Sequence, residues 1–411
     1  MQRRTILAGA AASAGASLLP RRARAATTIQ LWHVFNLETE VYMREGVKSF
    51  NAARSDARIE ERIIPFAQYR TELVRAIATG DTPDICCIDN PDTASFASQG
   101  ALADLSKRIA ASGNISKDKY LPGPWSTVQW RGGIFGVPRD SNTIAVYHNK
   151  EMLEAAGLDP ANPPGTWADL AAAAQKLTSA DRRVFGLLFS ARQAEDSTFQ
   201  WLPFLWQNGG NIDRLDAPEA VEALDYWVSF IKAETTSPDV LTINQSECVN
   251  RFIAGNAAMA ISGPWDTPRV HANAKFRWGV GLMPVNAKNI RASALGGWNW
   301  CIPAAAKNPD LAWDVIQWMI RPEQIANAWK SGRLPPRTDI EIKDPLYPEA
   351  FKTYAEQMKS ARARGPHPEW PAISRSIQLA IQKAMTRQTA AAEALKVAAT
   401  EVGQILAKTP L

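Results

Sequence analysis

Between residues 28 and 88 the chain alternates between two hydrophobic rhythms. Residues 28–35 (TIQLWHVF) form a β-branched and aromatic run, the pattern of a strand, and Met43, Val47 and Phe50 then recur at i, i+4, i+7, the spacing of a helix with one buried face. Residues 58–64 repeat the strand pattern with charges interleaved. Residues 69–78 predict a second helix stopped by Gly80, and residues 84–88 a short apolar strand before the turn Asp89-Asn90-Pro91-Asp92. Strand, helix, strand, helix, strand predicts a mostly parallel sheet covered by helices. Ligands of such sheets collect beyond the carboxyl ends of the strands, where loops and helix N-termini converge. Two segments qualify here, 33–38 and 89–92.

Residues 136–150 (GVPRDSNTIAVYHNK) organise the rest of the chain. A Gly-X-Pro turn and three small polar residues lead into a strand, and a helix opens behind it at 151–156. The chain is expected to cross here from one lobe to another, with Asp140 and Asn142 facing the cleft between them. Further on, Thr166 and Asp169 predict the cap of an alanine-rich helix reaching residue 177. Strands are predicted at 186–190, 257–262, 278–283 and 298–303, and helices at 199–207, 219–232, 247–254 and 310–319. Leu395, Ala399, Val402 and Leu406 then mark a terminal helix.

With 411 residues, 46% apolar and 21% charged, the chain suits two soluble domains of ordinary size. Its formal charge of +5 looks like an invitation to nucleic acid or to an anionic membrane. However, Arg3, Arg4, Arg21, Arg22 and Arg24 all precede residue 26, and the remainder holds equal numbers of basic and acidic residues. No nucleic-acid partner is therefore expected. The Arg3-Arg4 pair, a weakly apolar run over 6–19 and Ala23-Arg24-Ala25 predict that residues 1–25 are a twin-arginine-type signal peptide, removed near Ala25. The expected product is a soluble periplasmic protein.

Four cysteines in an exported chain allow two disulfides, with three possible pairings. Cys86 and Cys87 sit inside an apolar run, as does Cys301, which favours buried thiols in strands. The histidines His33, His148, His271 and His367 stand far apart, and neither CxxC nor HExxH occurs, so no metal is expected. Gly279-Val280-Gly281 lacks the third glycine of a dinucleotide loop; with no GxxxxGK[ST] and no GxSxG, neither a cofactor nor a serine nucleophile is indicated.

Fifteen tryptophans remain to be explained. Trp32, Trp265, Trp298 and Trp370 stand beside glycine, proline or polar residues, in contexts that read as loops. An indole offers a flat face and one N–H donor, which suits a sugar, although any single tryptophan serves as readily in a core. Asp89, Asp92, Asp140 and Asn142 would accept hydrogen bonds from vicinal hydroxyls, and His33 and Arg333 would donate. The same acids would equally supply the paired carboxylates of an exported glycan-cleaving hydrolase, which stays open as the alternative.

A set of short motifs in fixed order narrows the choice. These are Ile29-Gln30-Leu31-Trp32-His33, Gly80-Asp81-Thr82-Pro83-Asp84-Ile85, Ile144 to Lys150, Asn208-Gly209-Gly210, Phe252 to Met259, Gly263-Pro264-Trp265, Gly296-Gly297 and Gly332-Arg333-Leu334-Pro335. In order and spacing they resemble the extracellular solute-binding proteins of ABC importers, the maltose-binding-like family. The resemblance implies an α/β fold of two lobes, the type II-like periplasmic binding protein arrangement, with residues 26–142 plus 294–332 as one lobe and 143–293 plus 333–411 as the other. It implies no catalysis, a carbohydrate-like ligand, an ABC permease as partner and a monomer. Contact positions would fall at Trp32, His33, Asn36, Glu38, Asp89, Asp92, Asn142, Trp201, Trp265, Gly297 and Trp298, with Arg333 and Trp370 as further candidates. Some members carry acids or lysine in the first loop where this chain has His33-Val34-Phe35-Asn36, a departure that argues against maltodextrin. His33 with Arg333 leaves an anionic sugar open.

Overall fold

The computed structural model describes residues 26–410 apart from 37, 39 and 344; the expected signal peptide lies outside the described residues. The opening alternation folds as its rhythm predicts. The strands Thr27–His33, Ala57–Ile63 and Ile85–Asp89 pair in parallel, with Thr27–His33 in the middle. The helices Val41–Ala53 and Phe66–Thr79 follow the first two, and Met43, Val47 and Phe50 face inward as their spacing requires. Gly80 ends the second helix in the left-handed region at φ 75°, which glycine adopts without strain.

Two further strands complete this sheet from far along the chain. Trp298–Cys301 inserts antiparallel beside Ile85–Asp89, with Cys301 opposite Cys86 and Trp298 opposite Asp89, and Val137–Pro138 pairs on its other side. A second sheet runs in the order Trp278–Gly281, Ala145–Asn149, Ala257–Ser262, Phe185–Leu188. Ile29, Leu31, Phe50, Ile85 and Trp300 belong to one buried apolar cluster, whereas Val146, Tyr147, Leu187, Trp201 and Trp370 belong to another. Each sheet thus has its own core, and the molecule is a mixed α/β protein of two lobes.

Three passages of the chain between the lobes lie side by side. Asn142 bridges to Gly296, and Ser141 bridges to Leu334. The third passage follows Ala328, which packs in the first core, and reaches Trp329 and Leu334, which pack in the second.

Several expected environments are corrected. Trp32 lies within the strand Thr27–His33, Trp298 opens the strand Trp298–Cys301 and Trp370 opens the helix Trp370–Met385, so none of the three is a loop residue. Their polar neighbours in sequence belong to strand ends and helix starts. All four cysteines are free and buried, and burial pushes each thiol up. No helix among the described residues is long and apolar enough to cross a membrane.

Candidate ligand-binding site

The cleft between the lobes contains a cavity of about 280 Å³ whose walls come from both. From the first lobe, Asp89 ends its strand and Trp298 begins the one opposite, so the register brings the two to one sheet edge. Trp298 is braced edge-on by Phe35, Phe66 and Tyr69. From the second lobe, the first turns of the helix Glu195–Gln207 supply Glu195 and Phe199, and the turn after the strand Ala257–Ser262 supplies Trp265. Asn142 and Gly297 form part of the floor where the chain crosses. Gly297 has φ 143°, and a Cβ there would lie 2.6 Å from the Asp140 carbonyl oxygen, so a side chain would be both strained and obstructed.

One guanidinium ties the two walls together. Arg364 Nη1 donates to Glu195 Oε1 at 2.6 Å, while Nη2 donates to Asp89 Oδ1 at 3.2 Å and Asn90 Oδ1 at 3.1 Å. The group also lies 4.4 Å from the Phe199 ring centroid, a cation–π distance. Glu195 accepts further bonds from Trp370 Nε1 at 3.1 Å and Ser374 Oγ at 2.5 Å, which fix the carboxylate from behind. Burial pushes the Asp89 carboxyl up to about 6, Arg364 opposing and Glu195 adding to the rise.

A second charged group backs the floor. Arg139 is wholly buried, bonded to Glu40 and Asp140 and lying 3.9 Å from the Phe35 ring centroid. Arg333 approaches Glu40 only at 3.6 Å, too long for a hydrogen bond, and faces the cavity between Phe35 and Trp265. Two arginines and two carboxylates balance in this group.

A sequence model of the bacterial extracellular solute-binding proteins matches residues 37–326. The chain belongs to that family. A solute-binding protein of an ABC transporter from Thermotoga lettingae, solved with α-D-tagatose bound, superposes with a TM-score of 0.85 at 28% identity, covering 93% of this chain and 100% of that one. The maltose-bound MalE3 of T. maritima gives 0.84 at 26% identity over 93% and 100%. The sn-glycerol-3-phosphate-binding periplasmic protein UgpB of Shigella dysenteriae is 27% identical over 76% of this chain and 75% of its own length.

In this family member the cavity brings together six of the residues singled out from sequence, namely Asp89, Asn142, Trp265, Gly297, Trp298 and Arg333. The others lie elsewhere. Trp32 is buried under Arg62, whose guanidinium sits 4.3 Å from its ring. His33 is buried beside Glu61 at 3.1 Å and accepts from the Phe35 amide. Asn36 and Glu38 are exposed in the turn that follows, where Asn36 Oδ1 accepts from the Glu38 amide. Asp92 lines an adjoining crevice and pairs with Arg70 at 3.3 Å, burial pushing its carboxyl up to about 7. Asp140 does not face the cleft as expected; it is spent on Arg139 and on the Trp298 amide. Trp201 is a core residue, because the helix Glu195–Gln207 is buried on nearly every side. Trp370 touches the site only through Glu195.

Sequence reasoning missed Glu195 and Arg364. Glu195 is an acid in the first turn of its helix, a signal shared by many helix starts. Arg364 stands in an irregular segment and is recognisable only through partners 169 to 275 residues away in sequence.

Proposed function

We propose that this chain is the solute-capturing subunit of an ABC importer. It takes a sugar or sugar-derived solute outside the cytoplasmic membrane and delivers it to a membrane permease. The observation that carries this reading is the cavity whose aromatic and acceptor groups come from both lobes: Trp298 and Asp89 from one, Trp265, Phe199 and Glu195 from the other. A ligand that satisfies both walls holds the lobes together, so capture and closure are one event. The tagatose and maltose bound by the similar proteins, and the glycerol phosphate of UgpB, place polyhydroxylated solutes first.

In this reading residues 26–142 with 294–328 move as one lobe and 143–293 with 329–411 as the other, the third boundary falling at Trp329 rather than after 332 because that ring packs in the second core, and the three adjacent crossings serve as the hinge. The chain works as a monomer after export and removal of residues 1–25, and no bond in the solute is broken. The carboxylates a hydrolase would need are otherwise engaged: Asp89 and Glu195 share Arg364, Asp140 holds Arg139 and Asp92 pairs with Arg70.

The test is thermal unfolding of the mature protein against monosaccharides, oligosaccharides, polyols and sugar phosphates, with each compound assayed afterwards. A ligand at a hundred times its Kd stabilises by about 2.7 kcal/mol, enough to raise Tm by several degrees. A rise with a compound recovered intact supports the reading; fragments in the solution overturn it.

A further inference from the structure

A second cavity of about 440 Å³ lies behind Arg364, walled largely by the second lobe. Its floor is the glycine-rich stop of the helix Glu195–Gln207, and its apolar sides include Trp206, Ile212, Ile290 and Trp370. The size and the mostly apolar lining fall in the range of small-molecule sites.

Its charge differs from that of the interlobe cavity. Among its lining residues the ionisable ones are Arg362 and Arg364, and no carboxylate is present. The interlobe cavity carries Asp89, Glu195 and Asp196 against Arg333 and Arg364. Arg362 lies 5.9 Å from the Trp206 ring centroid and has no acceptor within hydrogen-bonding distance among the described residues. Arg364, which lines both cavities, spends Nη1 and Nη2 on Glu195, Asp89 and Asn90, and its Nε is buried without a partner. That nitrogen is closed off from solvent, so Arg362 is the cation whose donors this cavity leaves open to an acceptor.

We infer that this second cavity binds a small organic oxyanion, a phosphate or carboxylate carried on a sugar-sized body, with the anion at Arg362 and the body against Trp206 and Trp370. A planar guanidinium matches such a group with two parallel N–H bonds. The inference does not depend on what the interlobe cavity takes.

Isothermal titration calorimetry with glucose 6-phosphate and with glucuronate tests it, on the mature protein and on Arg362→Glu and Trp265→Ala. Arg362 is exposed, so its replacement leaves the fold intact, checked by an unchanged Tm. Binding of at least one probe by the mature protein and by Trp265→Ala, weakened about tenfold or more in Arg362→Glu, is the expected result. Absence of binding by both probes overturns the inference, as does binding that survives Arg362→Glu and disappears in Trp265→Ala. The latter outcome places the anion in the interlobe cavity and leaves the proposed function standing.

Discussion

Arg364 and Asp89 come from opposite lobes and meet at 3.2 Å across the cleft. The same guanidinium holds Glu195 of its own lobe, so one cation neutralises two acids that would otherwise repel each other at the cavity edge. Arg364→Ala removes the cation and leaves both acids facing a poorly solvated space. Breaking a buried pair in this way costs roughly 3–5 kcal/mol. The variant should melt several degrees lower by calorimetry, and Asp89→Asn in the same background should recover part of the loss.

Asp92 gives the protein a pH dependence of definite sign. Its carboxyl titrates near 7 in the folded chain, so between the ordinary carboxylate value and 7 the folded state holds a proton that the unfolded state has lost. This group therefore favours folding progressively as pH falls from above 7 toward 4. Urea unfolding at pH 8 and pH 5 should show Asp92→Asn stabilised relative to the native chain at pH 8, with the difference shrinking at pH 5. Asp89, up at about 6, acts in the same direction.

His148 works against it. The ring is buried in the strand Ala145–Asn149, and burial holds it down at about 4. Its contribution is intact above 6.5, the unfolded value, and is lost as pH falls from there to 4, about 3 kcal/mol over the whole window. A His148→Leu variant should lose less stability than the native chain between pH 7 and pH 4.5, read from the same urea curves.

The four thiols should be inert. Each is buried and none is paired, so Ellman's reagent should find no reactive thiol in the native protein and four after addition of guanidinium chloride. Rapid reaction of Cys86, Cys87 or Cys301 under native conditions would contradict the packing of the strand pair Ile85–Asp89 and Trp298–Cys301, and that of Cys248 the packing of the helix Gln245–Ile253.

What the chain's pattern discloses is local. Met43, Val47 and Phe50 reveal a helix face because their neighbours on the other faces are polar, and Gly80 reveals its stop because the left-handed region suits little else. Trp201 could not be separated from Phe199 in the same way. The helix that carries them is buried all round, so its periodicity no longer tells which side faces the cleft and which the core. Asp140 was legible as a polar turn residue but not as the partner of Arg139, an adjacent residue whose side chain is drawn inward by Glu40 and Phe35. Arg364 carries no local mark at all; its role comes from Asp89, Asn90 and Glu195, which only the tertiary fold assembles.

The central claim is that Trp265 and its partners across the cleft hold an unaltered solute. Isothermal titration calorimetry, with the compound that most raises Tm, tests it on the mature protein and on Trp265→Ala. One molecule should bind per chain, the affinity should fall about tenfold or more in the variant at unchanged Tm of the free protein, and the compound should be recovered whole. Equal affinity in the two proteins, or a cleaved compound, would contradict it.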